Sequence, residues 1–187
     1  GANGVQGCAT CHAAVSAAWA TDCYFCHGTA GGQISPPVDT QGRTARTNAS
    51  VGAHAKHAAP AMSPAIGCGV CHASRGSVIT DAGHMDGGGM AEVALTGLGA
   101  GTYTHVSATD GTCTTYCHGA FTGGKNATAS WTSTVAMTCT SCHGAPPPVP
   151  HVQRTDCGTC HPGYTATTVN ASTHVNGTIN TVTLACS

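Results

Sequence analysis

The sequence predicts a single domain over residues 1–187 that is mostly irregular coil, with short helices and few short strands. Three observations predict this fold class. No segment keeps a helical pattern of apolar residues for more than about three turns. Large core-forming side chains are scarce, because 4% of the residues are aromatic and 26 of 187 are glycine. A Cys/His motif also recurs from one end of the chain to the other.

The repeated motif is a pair of cysteines followed at once by a histidine. Two thiols one helical turn apart can each add to a haem vinyl group, while the next imidazole binds the iron as its proximal ligand. Five copies have the form C-x-x-C-H, and a sixth has three residues between its cysteines. The cysteine pairs are Cys8/Cys11, Cys23/Cys26, Cys68/Cys71, Cys113/Cys117 (the wider copy), Cys139/Cys142 and Cys157/Cys160, followed by His12, His27, His72, His118, His143 and His161. The sequence therefore predicts six covalently attached haem c groups.

Other roles for a C-x-x-C pair are half of a zinc site, a redox dithiol and part of a disulfide framework. None of these roles requires histidine at the very next position. Because histidine follows all six pairs, haem attachment explains the motif better than any of them.

The remaining histidines predict how the irons are coordinated. Twelve histidines minus six proximal ligands leave six, which is one distal ligand for each iron: His54, His57, His84, His105, His151 and His174. Bis-histidine ligation leaves no open position for a small substrate, so such an iron transfers electrons and does little else. The competing distal ligands are the methionines, whose more ordinary role is packing against a porphyrin face: Met62, Met85, Met90 and Met137.

The composition also fits a fold organised around six haems. A domain of this length normally buries many Leu, Ile, Val and Phe side chains, whereas Ala, Gly, Thr and Ser dominate this chain. The porphyrins would supply the missing apolar mass, and their thioether and axial bonds would constrain the chain much as disulfides do. We expect the apoprotein to be unfolded.

Two elements are predicted before the wider motif at Cys113. Alanines around His54 and His57 predict one or two helical turns that end at Pro60. This spacing places both histidines on one face, from which we expect them to serve two different haems. Alternating Thr and Tyr around His105 predict a strand or extended segment.

The second half is predicted to be loops and one strand-like tail. Residues 123–128 predict a loop, and the proline-rich stretch 144–151 predicts a rigid polyproline-like arm that carries His151 away from the preceding motif. The tail from Thr173 to Leu184 has an Asn-Gly turn and alternating β-branched residues, which predict a small hairpin or exposed strand.

Four further segments are distinctive: the paired motifs across residues 113–148 with Trp131 between them, Gly-Ala-His-Ala-Lys-His at 52–57, Thr-Asp-Cys-Gly-Thr-Cys-His-Pro-Gly at 155–163 and His-Val-Asn-Gly-Thr at 174–178. With these segments the chain resembles the multihaem cytochromes of metal-reducing, Geobacter-type bacteria. The resemblance implies extracellular electron transfer, bis-histidine haems carried by the histidines above, and little regular secondary structure. Several such secreted cytochromes polymerise into filaments with a continuous haem chain. The family's wider motif usually has four intervening residues, whereas this chain has three between Cys113 and Cys117.

Haem attachment also predicts where the protein is found. The thiols must meet haem outside the cytoplasm, so we expect an exported protein, extracellular or on the outer cell surface, with the periplasm as the alternative. The chain begins Gly1-Ala2 without an initiator methionine or an apolar signal region, and we interpret it as already processed. The most apolar stretch, residues 13–20, is too short to cross a bilayer, so no transmembrane segment is expected.

Charge predicts the partners. The polypeptide has a formal net charge of −1 and six Lys and Arg in total, and the propionates of six haems would make the holoprotein strongly negative. We therefore expect no nucleic-acid partner. Other redox proteins, extracellular electron acceptors such as metal oxides, and further copies of the same chain in a homopolymer are the expected contacts.

Two classes of function remain after these considerations. The first is electron transfer along a row of closely spaced bis-histidine haems, and the histidine count favours it. The second is a multihaem reductase in which one haem has an open coordination position. Cys186 is the one cysteine outside the motifs. A free thiol, an intersubunit link and the start of a segment removed by proteolysis all remain open for it, and no role is assigned.

Overall fold

The computed structural model describes residues 39, 42–72, 91–107 and 109–182. The first two motifs and several other residues singled out from the sequence lie outside these ranges: Cys8, Cys11, His12, Cys23, Cys26, His27, His84, Met85, Met90 and Cys186. The described part is mostly coil, turns and bends. Its regular elements are one short helix, four single-turn 3₁₀ helices and a small sheet.

The described residues contain one α-helix, α1, which spans His54–Ala58. The sequence predicted a short helix around His54 and His57, and the structure has one that ends just before Pro60, whose ring cannot continue a helix. A helix of five residues gains too little from its own hydrogen bonds to be stable alone. It therefore depends on packing, and Trp131 lies against its two histidines.

The sheet has three antiparallel strands in the order β1-β2-β3 within the described residues: β1 Gly101–Ser107, β2 Asp110–Thr115 and β3 Ala129–Ser130. β1 contains His105, where the sequence predicted a strand. β2 was not predicted, although the alternation of Thr112 and Thr114 is a strand signal. Because Cys113 pairs with Tyr103 on one side and Ala129 on the other, the wider motif begins on the central strand.

The 3₁₀ helices hold parts of three motifs. Their bounds are Cys68–Val70, Gly97–Gly99, Tyr116–His118 and Cys157–Thr159. In the third and sixth motifs the first cysteine begins the turn, and its carbonyl accepts a hydrogen bond of 2.8 Å from the histidine amide four residues on. These two motifs thus have the one-turn cysteine spacing that the sequence predicted.

Two predictions for the second half are wrong in the described residues. Residues 171–175 form turns, and 176–182 are bends and coil without a strand. Side-chain bonds replace the expected ladder, because the Asn176 amide donates to the Asn180 side chain and the Asn180 carbonyl accepts from His161. The proline-rich stretch is also not an extended arm, since it turns at residues 149–150 and the His151 amide donates to the Pro148 carbonyl at 3.1 Å. The loop predicted at 123–128 is present.

The described residues enclose little apolar core. Val51 and Ala53 are its buried hydrophobic residues, and no described side chain is less than 2% exposed. The buried Asp39 carboxylate accepts hydrogen bonds from Arg43 and Ser50 and so ties the chain just before α1. Among the described residues no helix is long and apolar enough to span a membrane.

Candidate haem ligands and attachment sites

The structure brings each described motif histidine next to one histidine from outside the motifs. His72 lies beside His54, His118 beside His57, His143 beside His174 and His161 beside His151. The four distances between ring centroids are 6.3, 6.2, 6.3 and 6.1 Å in that order. Each histidine is used once, and every pair combines one predicted proximal ligand with one predicted distal ligand.

The spacing of these pairs suits two imidazoles on opposite sides of one metal ion. A metal–imidazole bond is about 2.0 Å long and the ring centroid lies about 1.1 Å beyond the bound nitrogen, so the two centroids would be about 6.2 Å apart. Other ring contacts, such as Tyr164 with His174 at 6.3 Å, have a similar distance. The significance of the spacing therefore rests on the one-to-one pairing of motif and non-motif histidines.

Hydrogen bonds determine which nitrogen of each imidazole carries the hydrogen. In seven of the eight paired histidines Nδ1 lies within 3.0 Å of a backbone carbonyl, to which it must donate because a carbonyl oxygen only accepts. In a neutral ring this leaves Nε2 with a free lone pair, the arrangement found in metal-ligating histidines. The acceptors are the carbonyls of Val51 (for His54), Ala53 (His57), Glu92 (His72), Gly144 (His143), Val152 (His151), Asn180 (His161) and Met62 (His174).

His118 is the exception among the eight. Its Nδ1 is buried and has no hydrogen-bond partner among the described residues. Burial lowers the pKa of His118, and the neighbouring His57 lowers it further. Burial likewise lowers the pKa of His72. Both shifts favour the neutral imidazole, which is the form that can bind a metal.

The cysteines of three motifs lie close to one another. All eight described motif cysteines are free thiols: Cys68, Cys71, Cys113, Cys117, Cys139, Cys142, Cys157 and Cys160. Burial, with the neighbouring Cys71 thiol as a smaller cause, raises the pKa of Cys113 to about 11. Burial also raises the pKa of Cys117, and the neighbouring Cys71 and Cys142 thiols raise it further. Motifs three, four and five therefore converge.

Backbone contacts join the fourth and fifth motifs. Gly119 has a φ of +92°, and a Cβ at this position would lie 2.6 Å from the Cys142 carbonyl oxygen. The same carbonyl accepts a hydrogen bond of 2.8 Å from the Lys125 amide. The Cys142 sulfur lies 3.7 Å from the Cys117 carbonyl. Glycine thus permits the close approach that brings the two motifs together.

A cavity of about 300 Å³ adjoins the fifth motif. It also borders Met62, whose carbonyl accepts the His174 hydrogen bond. Its lining consists of Ala61, Met62, Cys139, Thr167, Thr168 and Val169. The first cysteine of this motif therefore borders open space.

Aromatic side chains lie between neighbouring histidine pairs. Trp131 contacts His54 and His57, which belong to the first and second pairs. Tyr164 contacts His161 and His174, which belong to the fourth and third. The sequence reasoning assigned no role to these two residues, although an aromatic is conspicuous in a chain with two Trp and four Tyr.

His105 is the described distal candidate without a motif partner. It is exposed on β1, and its ring contact within the described residues is Tyr103 at 4.8 Å. The motif histidines left for it and for His84 are His12 and His27, which lie outside the described residues with His84 itself. Ligation by His84 and His105 stays a prediction.

Each of the four histidine pairs would offer two protein ligands to a bound metal ion. No group of three or more His, Cys, Asp or Glu side chains that could hold a metal ion occurs in the described ranges. A haem iron needs only two axial ligands from the protein, because the porphyrin supplies the other four nitrogens. The donor set, its spacing and the free cysteines beside it all fit haem. Searches against protein-family models, curated proteins and solved structures give no match to this chain.

Proposed function

We propose that this protein is a c-type cytochrome with six bis-histidine haems that transfers electrons along a row of them. The observation that carries the proposal is the one-to-one pairing of His72, His118, His143 and His161 with histidines from outside the motifs. Covalently bound haem would supply an iron that accepts and releases single electrons. The two cysteines of each motif would attach it, and the paired histidines would close both axial positions.

The contacts between pairs support passage from one site to the next. The first and second pairs share helix α1, the second and third meet through Cys117 and Cys142, and the third and fourth share Tyr164. The order along this row follows the order of motifs three to six in the chain. Each pair is therefore linked to the next by at least one contact or shared element of the described residues.

The scarcity of buried apolar side chains supports a cofactor-filled interior. Val51 and Ala53 form the buried hydrophobic set of the described residues, which is too little to offset the conformational entropy of folding. Bound porphyrins would supply that apolar surface. The apoprotein should consequently be unfolded, as the sequence predicts.

Mass spectrometry of the mature protein tests the proposal. The intact mass should exceed that of the polypeptide by six haems, and this added mass should survive acid and organic solvent because the bonds are thioethers. The reduced protein should bind no carbon monoxide, since both axial positions of every iron are filled. A mass equal to that of the bare chain would refute the proposal.

The exposed position of His105 favours one alternative, a multihaem reductase with an open haem. If His105 binds no iron, five distal histidines remain for six haems, and one iron is free to take a substrate such as nitrite. Carbon monoxide distinguishes the two functions. Binding of one molecule per chain to the reduced wild-type protein would favour the reductase.

We further propose an extracellular location and a homopolymeric filament as the working form. The exposed edge strand β1 supports the second point, since six of its seven residues are exposed and its outer edge has no strand partner in the described part of the chain. Redox proteins and metal oxides would be its electron acceptors. Electron microscopy of the secreted protein decides between a filament and a soluble carrier, and uniformly single particles would exclude the filament.

A further inference from the structure

The four histidine pairs differ in the angle between their ring planes. The His54–His72 and His151–His161 pairs are near parallel, at 26° and 13°. The other two pairs are crossed, with 77° for His57 and His118 and 69° for His143 and His174. The two pairs that share helix α1 therefore differ: the His54 pair is near parallel and the His57 pair is crossed.

Trp131 is in contact with both histidines of that helix. Its ring lies edge-on to His54, with centroids 4.7 Å apart and an angle of 88°. The same ring stacks on His57 at 5.7 Å and 20°. One flat side chain thus holds two imidazoles nearly at right angles to each other.

The indole itself is firmly positioned. Its Nε1–H donates to the Ala49 carbonyl at 2.6 Å, and its backbone amide donates to the Gly111 carbonyl at 2.8 Å. Gly52 makes room for it, because a Cβ there would lie 1.9 Å from the indole nitrogen. Trp131 is therefore anchored to the turn before α1 and to strand β2 at once.

We propose that Trp131 is a positioning residue that sets the ring planes of His54 and His57, so that two adjacent haems differ in their electronic structure. This inference rests on the proposed haem ligation. Parallel imidazoles interact with the same iron d orbital and separate it from its partner, whereas crossed imidazoles interact with both and leave them close in energy. In the oxidised protein a crossed pair therefore gives a more anisotropic low-spin resonance, with a larger maximum g value, than a parallel pair.

Electron paramagnetic resonance of the oxidised holoprotein tests this assignment. The wild type should show both signal types. Trp131→Leu removes the flat ring, so the large-g signal should lose the intensity of one haem in six as the His57 plane turns. Trp131→Phe keeps a flat ring between the two histidines and should retain most of that intensity.

Two further variants make the result decisive. Val135→Ala shortens a side chain that is 77% exposed and lies four residues after Trp131, and its spectrum should match that of the wild type. Should Trp131→Leu fail to mature, Gly52→Ala displaces the indole without removing it and should cause the same loss. An unchanged large-g signal in the variant that matures, or an equal loss in Val135→Ala, would overturn the inference.

Failure of the inference is distinguishable from failure of the proposed function. If the wild type lacks covalently bound low-spin haem altogether, the proposed function itself is refuted. If the wild type carries six low-spin haems and Trp131→Leu leaves their spectrum unaltered, only the positioning role is refuted.

Discussion

In the proposed cytochrome, removing His54 and His57 separately and together should open one axial position on one haem for each histidine removed. The two residues lie on one helix but pair with His72 and His118, which belong to different motifs. Each single alanine variant should therefore convert one haem in six from six-coordinate to five-coordinate, and the double variant should convert two in six. The adjacent Trp131 cannot replace either ligand, because an indole nitrogen only donates hydrogen bonds.

Carbon monoxide titration of the reduced protein counts the open irons directly. We expect no binding in the wild type, one equivalent per chain in His54→Ala and in His57→Ala, and two in the double variant. Lys56→Ala is the matched control, since Lys56 is exposed on the same helix between the two histidines. The reasoning is refuted if the double variant binds a single equivalent, which would mean that one of the two histidines is not a ligand. It is refuted equally if neither single variant binds any.

Two further predictions concern stability. Gly119→Ala should destabilise the holoprotein by more than the ~1–2 kcal/mol cost of a left-handed backbone, because its Cβ would meet the Cys142 carbonyl at 2.6 Å. Gly123→Ala has a similar φ of +82° but open space around it, so thermal unfolding that is equal in the two variants would count against the clash. Burial alone would raise the pKa of Asp110, but hydrogen bonds from Thr132 and from nearby side-chain and backbone donors lower it overall. Ionised Asp110 therefore stabilises the sheet above its unfolded pKa, and this contribution is lost as the pH falls through the lower folded value. The stability difference between wild type and Asp110→Asn should thus shrink in acid, and a difference that stays constant down to pH 2 would contradict the assignment.

Local sequence patterns predicted the elements whose structure depends on neighbouring residues. The helix at His54–Ala58 is encoded by alanines and by Pro60 just beyond its end. The strand around His105 follows from alternating Thr and Tyr. These elements depend on interactions within a few residues, which a sequence displays directly.

Long-range contacts explain why the tail is not a strand and why strand β2 was not predicted. The tail from Thr173 has the alternation of a strand, yet its backbone and side chains bond to motif six and to one another in place of a partner strand. Strand β2 carries Cys113, and the three-residue spacing of its motif does not indicate that the first cysteine lies in a sheet. A strand is stable only beside a partner strand, and which segment becomes the partner depends on residues distant in the sequence.

From composition and spacing, the sequence predicts which residues would attach haem and bind its iron. The order Cys, Cys, His identifies predicted attachment and proximal residues, and the equal number of remaining histidines predicts closed irons, because these arguments need only composition and spacing. The tertiary structure alone decided which distal histidine faces which motif, since His174 and Met62 lie 112 residues apart in the chain and yet share a hydrogen bond. It also decided the ring angles, because the plane of an imidazole depends on the residues packed against it, as Trp131 packs on His54 and His57. Partner choice and plane angle are properties of packing, and no local pattern of residues encodes them.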